Sequence, residues 1–141
     1  MKRTSSFTAI CLILLLCSCS KDKVQSKTEM LTTGTWKLTG SETDADGNGT
    51  YEINDYAGFL PCFTDNIYTF QTNGQAVSDE GPTKCDPMDP QTETVSWQFT
   101  NNENSMIIDG DTYEVKEISN TTLRLKLSFG AFSSQVIFTK R

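Results

Sequence analysis

From Thr35 onward, apolar residues recur at every second position rather than every third or fourth. "TWKLTG" places Trp36 and Leu38 on one face and Lys37 and Thr39 on the other. "NIYTFQ" groups Tyr68 with Phe70, and "TVSWQF" groups Val95, Trp97 and Phe99. The clearest run is "TTLRLKLSF", where Leu123, Leu125, Leu127 and Phe129 alternate with Arg124, Lys126 and Ser128. "FSSQVIF" closes the chain with Phe132, Val136 and Phe138 in phase. Rich in Thr, Val, Ile and aromatic residues, these segments have the composition of half-buried strands. Turn signals separate them at short intervals, including "DADGNG", "DEGP", "DPMDP", "NNENS" and "FGAF". Two hairpins stand out, one turning at Asn73-Gly74 and one at Asp109-Gly110, where the Asp-Gly pair suits a tight turn with positive φ. The pattern predicts an all-β domain of about eight strands, joined mostly by hairpins and without a helix. Closing such a meander into a small antiparallel up-and-down barrel removes its exposed edges.

The first thirty residues do not share this alternation. Lys2 and Arg3 precede an apolar run from Ala9 to Leu16, then small residues, which is the order of a secretory signal. That run is too short for a permanent membrane span. "LCSC" sets Leu16 three residues before Cys19 and resembles the lipobox of bacterial lipoproteins, whose cysteine is acylated and becomes the first residue of the mature chain. Each buried methylene of an acyl chain contributes about 0.8 kcal/mol, so two or three chains anchor durably. The expectation is a lipoprotein signal over residues 1–18, lipidation at Cys19, a flexible tether over 19–30 and a folded domain over 31–141. The start of the tether, "SKDK", resembles the export tag of lipoproteins from Bacteroides-type bacteria. It implies an exported protein held in the cell envelope, at the outer membrane and facing the periplasm or the surface.

Charge narrows the partners. Without Lys2 and Arg3, ten Lys and Arg face eighteen Asp and Glu, a formal charge of −8. Such a chain repels nucleic-acid phosphates and anionic bilayers, so contact with the membrane is expected through the lipid anchor alone. Once Cys11 and Cys17 leave with the signal and Cys19 is lipidated, the domain retains Cys62 and Cys85. An even pair in an exported chain reads as a disulfide, and the chain has no histidine to complete a two-cysteine metal site. The same lack of histidine removes Ser-His and Cys-His catalysis and the ordinary neutral-pH base. The carboxylates lie mostly in turns, so no catalytic residue is expected and no enzyme.

The order of landmarks points further. "GTWKLTG", "PCFTDNIYTFQTNGQ", "KCDPMDP", "SWQF", "MIIDGDTYEVKEIS" and "TLRLKLSF" follow one another across residues 31–139. Together they resemble the lipocalin-like domain of exported lipoproteins from Bacteroides-type bacteria. The resemblance implies a small calycin-like barrel with Cys62 and Cys85 as its paired cysteines. Gly34-Thr35-Trp36 is similar to the G-x-W signature of lipocalins, where the Trp plugs the barrel base and a late-strand Arg packs over it. Arg124 is the nearest candidate, but its alternation sets it opposite the leucine face. A barrel of this kind implies a small apolar or amphipathic ligand, with Trp36, Tyr68, Phe70, Trp97, Phe99, Tyr113 and Phe138 as its expected lining. The other reading has these rings filling the core, leaving a non-catalytic module that meets a protein or glycan through its loops.

One loop remains. "DADGNGTYEIND" has the oxygen spacing of a calcium loop, with Asp44, Asp46, Asn48, Thr50 (through its carbonyl), Glu52 and Asp55 as ligands and Gly49 at the sharp turn. Asp55 is one methylene shorter than the usual bidentate Glu, and no helices flank the loop. Asp, Asn and Gly are equally the residues of a long solvated turn. Calcium at this loop and a plain solvated loop are both open readings, and no other cofactor is expected.

Overall fold

The computed structural model describes residues 24–141. The expected signal peptide and Cys19 lie outside the described residues. Nine strands form one antiparallel sheet: β1 (Trp36–Asp44), β2 (Ile53–Asn54), β3 (Ile67–Phe70), β4 (Gln75–Asp79), β5 (Thr92–Thr100), β6 (Ser105–Ile108), β7 (Asp111–Ile118), β8 (Thr122–Phe129) and β9 (Phe132–Lys140). From β3 to β9 each strand pairs with the next in sequence, and β9 pairs back to β1. With the two-rung ladder Trp36↔Tyr68 and Lys37↔Ile67 joining β1 to β3, eight strands close a ring. This is the expected up-and-down barrel. β2 stands beside it, pairing with the far end of β1 through Glu42↔Asn54 and Thr43↔Ile53.

Turn chemistry sets the meander. Asp109 and Gly110 take φ of 50° and 91°, the double positive-φ pair of a tight hairpin. Gly74 turns the β3–β4 hairpin at φ 82°. Antiparallel register puts the start of β1 and the ends of β3, β5, β7 and β9 at one end of the barrel, the base.

Two short helices were not expected. α1 (Lys27–Thr32) lies partly within the segment read as a tether. Ser26 caps it, its side chain accepting from the Glu29 N–H. Six residues form too few turns to persist alone, so packing decides. Leu31 is fully buried, and two of the helix's C-terminal carbonyls find donors: Trp36 Nε1 to Leu31 at 2.8 Å and Lys140 Nζ to Met30. Lys27 Nζ donates to the Glu103 carbonyl in the β5–β6 turn, docking the helix across the base. α2 (Pro61–Thr64) starts with Pro at its first position and carries Cys62.

Cys62 and Cys85 form a disulfide, with Cα atoms 5.2 Å apart. It ties α2 to the long β4–β5 connection. The Asn66 amide strengthens the same junction by donating to the Cys62 and Glu80 carbonyls at 3.0 and 2.9 Å. At the end of β4, Asp79 accepts from Gln91 Nε2 and the Gly81 N–H, which hold its carboxyl below the usual Asp range.

Candidate functional site

The barrel interior has two layers. Toward the base, Leu31, Trp36, Phe70, Trp97, Met106, Leu123 and Leu125 form a packed core. Above it lies a hollow of about 300 Å³. Leu38, Tyr68, Phe70, Val95, Ile108, Tyr113, Leu125, Val136 and Phe138 surround it. The hollow follows from register in the β3–β4 hairpin, which sets Tyr68 opposite Ser78 and Phe70 opposite Ala76. All four residues line it, and two small side chains facing two rings leave space that two large ones would fill.

Of the seven rings expected on the lining, Tyr68, Phe70, Tyr113 and Phe138 are there. Trp36, Trp97 and Phe99 are not, and the expectation is corrected for these three. Trp36 is fully buried at the start of β1, under α1, where it closes the base. Trp97 is held down by its indole N–H, which donates to the Gln71 and Gln75 carbonyls at 3.1 and 3.0 Å. Its ring meets Phe70 and Phe99 edge-on, with centroids 5.7 and 5.5 Å apart. The aliphatic and small part of the lining was not singled out in advance. The available signal was the alternation itself, since Leu38, Val95, Leu125 and Val136 are in phase with the expected rings.

The polar groups of the lining are few. Tyr68 and Tyr113 bring hydroxyls and Ser78 a third. Burial raises the pKa of both phenols; Glu80 adds to this at Tyr68, where Asn66 opposes it, and Asp111 and Asp109 add to it at Tyr113.

The plug at the base has a cation over it, though not the one considered. Lys140 Nζ sits 4.8 Å from the centroid of the Trp36 ring, while Arg124 lies beside Glu117 at 3.8 Å. Trp36 and Lys140 are directly paired across β1 and β9, so their side chains share a face. Burial lowers the Lys140 pKa.

The 44–55 loop brings together half of its expected ligand set. Asp44, Asp46 and Glu52 each place a carboxylate oxygen within 4.8 Å of the others, and these are the residues that would hold a cation. Asn48 and Asp55, two of the remaining three, hydrogen-bond to other side chains of the loop and of β1. Asn48 Nδ2 donates to Asp46 and Glu52, and Asn48 Oδ1 accepts from the Thr50 N–H. Asp55 accepts from Thr43 Oγ1 at 2.7 Å and begins the 3-10 turn Asp55–Gly58, because β2 has already drawn the chain back to β1. Asp44 is buried, and its two oxygens accept from the Gly47 and Gly49 N–H groups at 2.8 and 3.0 Å. The loop satisfies its own polar groups, and six converging oxygens are not assembled.

Comparison with known proteins agrees with this architecture. A family profile described as a lipocalin-like domain matches residues 32–125. Among solved structures, the fold is similar to the crystal structure of a DUF4847 family protein from Bacteroides vulgatus, with a TM-score of 0.57 and 12% identity. That similarity covers 82% of this chain and 98% of the other. No protein of the curated set matches the sequence.

Proposed function

The chain belongs to the lipocalin-like domain family, and on that premise we propose that it is the binding barrel of an envelope lipoprotein, holding a small apolar or amphipathic molecule in its hollow. The observation that carries this is the hollow itself, about 300 Å³ and ringed by Phe70, Val136 and Phe138 with three hydroxyls at its wall. It stands at the lower end of the range for ligand pockets, and an apolar cavity of about 150 Å³ is already enough to hold benzene. A filled core, the competing reading, would have Ala76 and Ser78 replaced by large side chains. The reading is one of binding rather than catalysis, supported by the lack of histidine in the chain.

Anchoring through Cys19 is part of the proposal and is supported by the lipobox-like "LCSC". With α1 docked at the base, a tether from Cys19 would join the folded domain at its closed end. Cys19→Ala is expected to move the protein from the membrane fraction to the soluble one; retention in the membrane would contradict the anchor. For the hollow, the probe is 1-aminoanthracene, a neutral fluorophore that brightens out of water. Its fluorescence is expected to rise on binding and to do so far less with Ala76→Leu, which pushes three further carbons into the space. Equal enhancement by both proteins would place the probe elsewhere and remove the support.

A further inference from the structure

Among the described residues, none that lines the hollow carries a positive charge; the polar side chains there are Tyr68, Tyr113 and Ser78. Carboxylates stand at its edge. Register places Glu93 directly opposite Ser78 and Asp111 directly opposite Ile108, both of which line the hollow. Directly opposed residues project from the same face of a sheet, with Cβ atoms about 5 Å apart. Both acids are solvent-exposed, so they mark the mouth rather than the floor. Glu80 borders with Glu93, Asp89 and Pro90 a second, polar hollow. The fields of Glu80 at Tyr68 and of Asp109 and Asp111 at Tyr113 reinforce burial in raising both phenols, which places these charges within reach of the wall.

Among the described residues, the cations with a defined partner are held away from the lining of the hollow. Lys27 and Lys140 are at the base, bonded to the Glu103 and Met30 carbonyls. Lys116 and Arg124 pair with Glu114 and Glu117. Lys84, in the β4–β5 connection, donates to the Asp89 carbonyl.

We propose that the hollow selects its ligand by head-group charge, accepting an apolar body with a cationic or neutral head, such as a primary amine, and rejecting fatty-acid-like carboxylates. A tail buried against Phe70 and Val136 leaves the head at the mouth, beside Glu93 and Asp111. An ammonium there meets opposite charge and hydroxyl acceptors. A carboxylate meets like charge, with only hydroxyl donors to replace its water.

The proposal rests on the ligand-binding reading above, and the test separates the two. Decylamine, decanol and decanoate share one tail and differ in the head. Their affinities are to be measured by calorimetry on the purified protein near neutral pH and at low salt. Decylamine is expected to bind about tenfold or more tighter than decanoate, as two or three exposed charge pairs allow, with decanol between them. Glu93→Gln combined with Asp111→Asn is expected to bring the affinities for amine and carboxylate close together. Decanoate binding as tightly as decylamine would overturn charge selection and leave ligand binding standing. An amine preference that survives the double substitution would overturn the role of these two carboxylates. Failure of all three, and of 1-aminoanthracene, would overturn both readings.

Discussion

Tyr68 and Tyr113 carry the two phenols of the hollow, and for both burial is the first cause of a pKa above the usual tyrosine value of 10.0. The sign of the consequence is fixed. A group whose pKa is higher in the folded than in the unfolded chain adds stability below the unfolded value and loses it as pH rises through the folded one. Between about pH 9 and pH 11 the unfolded tyrosines ionise first, so denaturation midpoints are expected to fall. Tyr68→Phe is expected to flatten that fall, as read by urea unfolding at each pH; an unchanged slope would show that Tyr68 is not held neutral. Lys140, whose pKa is lowered by burial, contributes the opposite slope in the same range, so the tyrosine substitution is the clean comparison. At this scale the sequence was partly legible. Gly34 takes a φ of 85° just before Trp36, and the Trp plugs the base as the G-x-W resemblance implied. The cation over the Trp was not legible, because Lys140 reaches it through the β1–β9 closure, a contact between residues at opposite ends of the domain.

At the scale of elements, the hairpins could be read because each depends on residues within a dozen positions of one another. Period-two alternation and the Asn73-Gly74 and Asp109-Gly110 turns fix strand order and register locally. α1 could not be read this way. Its sequence, "KTEMLT", has one deeply buried residue and no apolar stripe, and its carbonyls are satisfied by Trp36 and Lys140, which arrive from β1 and β9. The β1 bulge between Leu38 and Gly40 shifts the register against β9, which no alternation pattern announces. The calcium-like loop shows the same limit, since only Asp44, Asp46 and Glu52 of its six expected ligands come together. Its spacing matched, but β2 pairs Ile53 and Asn54 with β1 and turns Asp55 away from the other three acids. Gly47 shows how closely that loop is packed, since a Cβ there would collide with the Ala131 carbonyl of the β8–β9 turn. The Cys62–Cys85 bridge closes a separation of 23 residues around α2, β3 and β4. In the chain-entropy account such a closure stabilises the fold by about 3 kcal/mol.

Over the whole molecule, the barrel has unlike ends. The base is closed by α1 and Trp36 and carries Lys27, Lys140 and the C-terminal Arg141. The other end carries the acidic turns and the hollow's mouth. Alternation supplied the ring of strands but not the hollow, which depends on how much side-chain volume meets across the barrel: Ala76 and Ser78 face Phe70 and Tyr68, and Trp97 and Phe99 sink into the core below. The central claim is that this space is filled by a ligand, and native mass spectrometry of the protein purified from the cells that make it tests it most directly. The account predicts a bound molecule of defined mass that is released on unfolding and is absent from the Ala76→Leu protein. Protein that carries nothing, or an adduct that persists after Ala76→Leu, would contradict it.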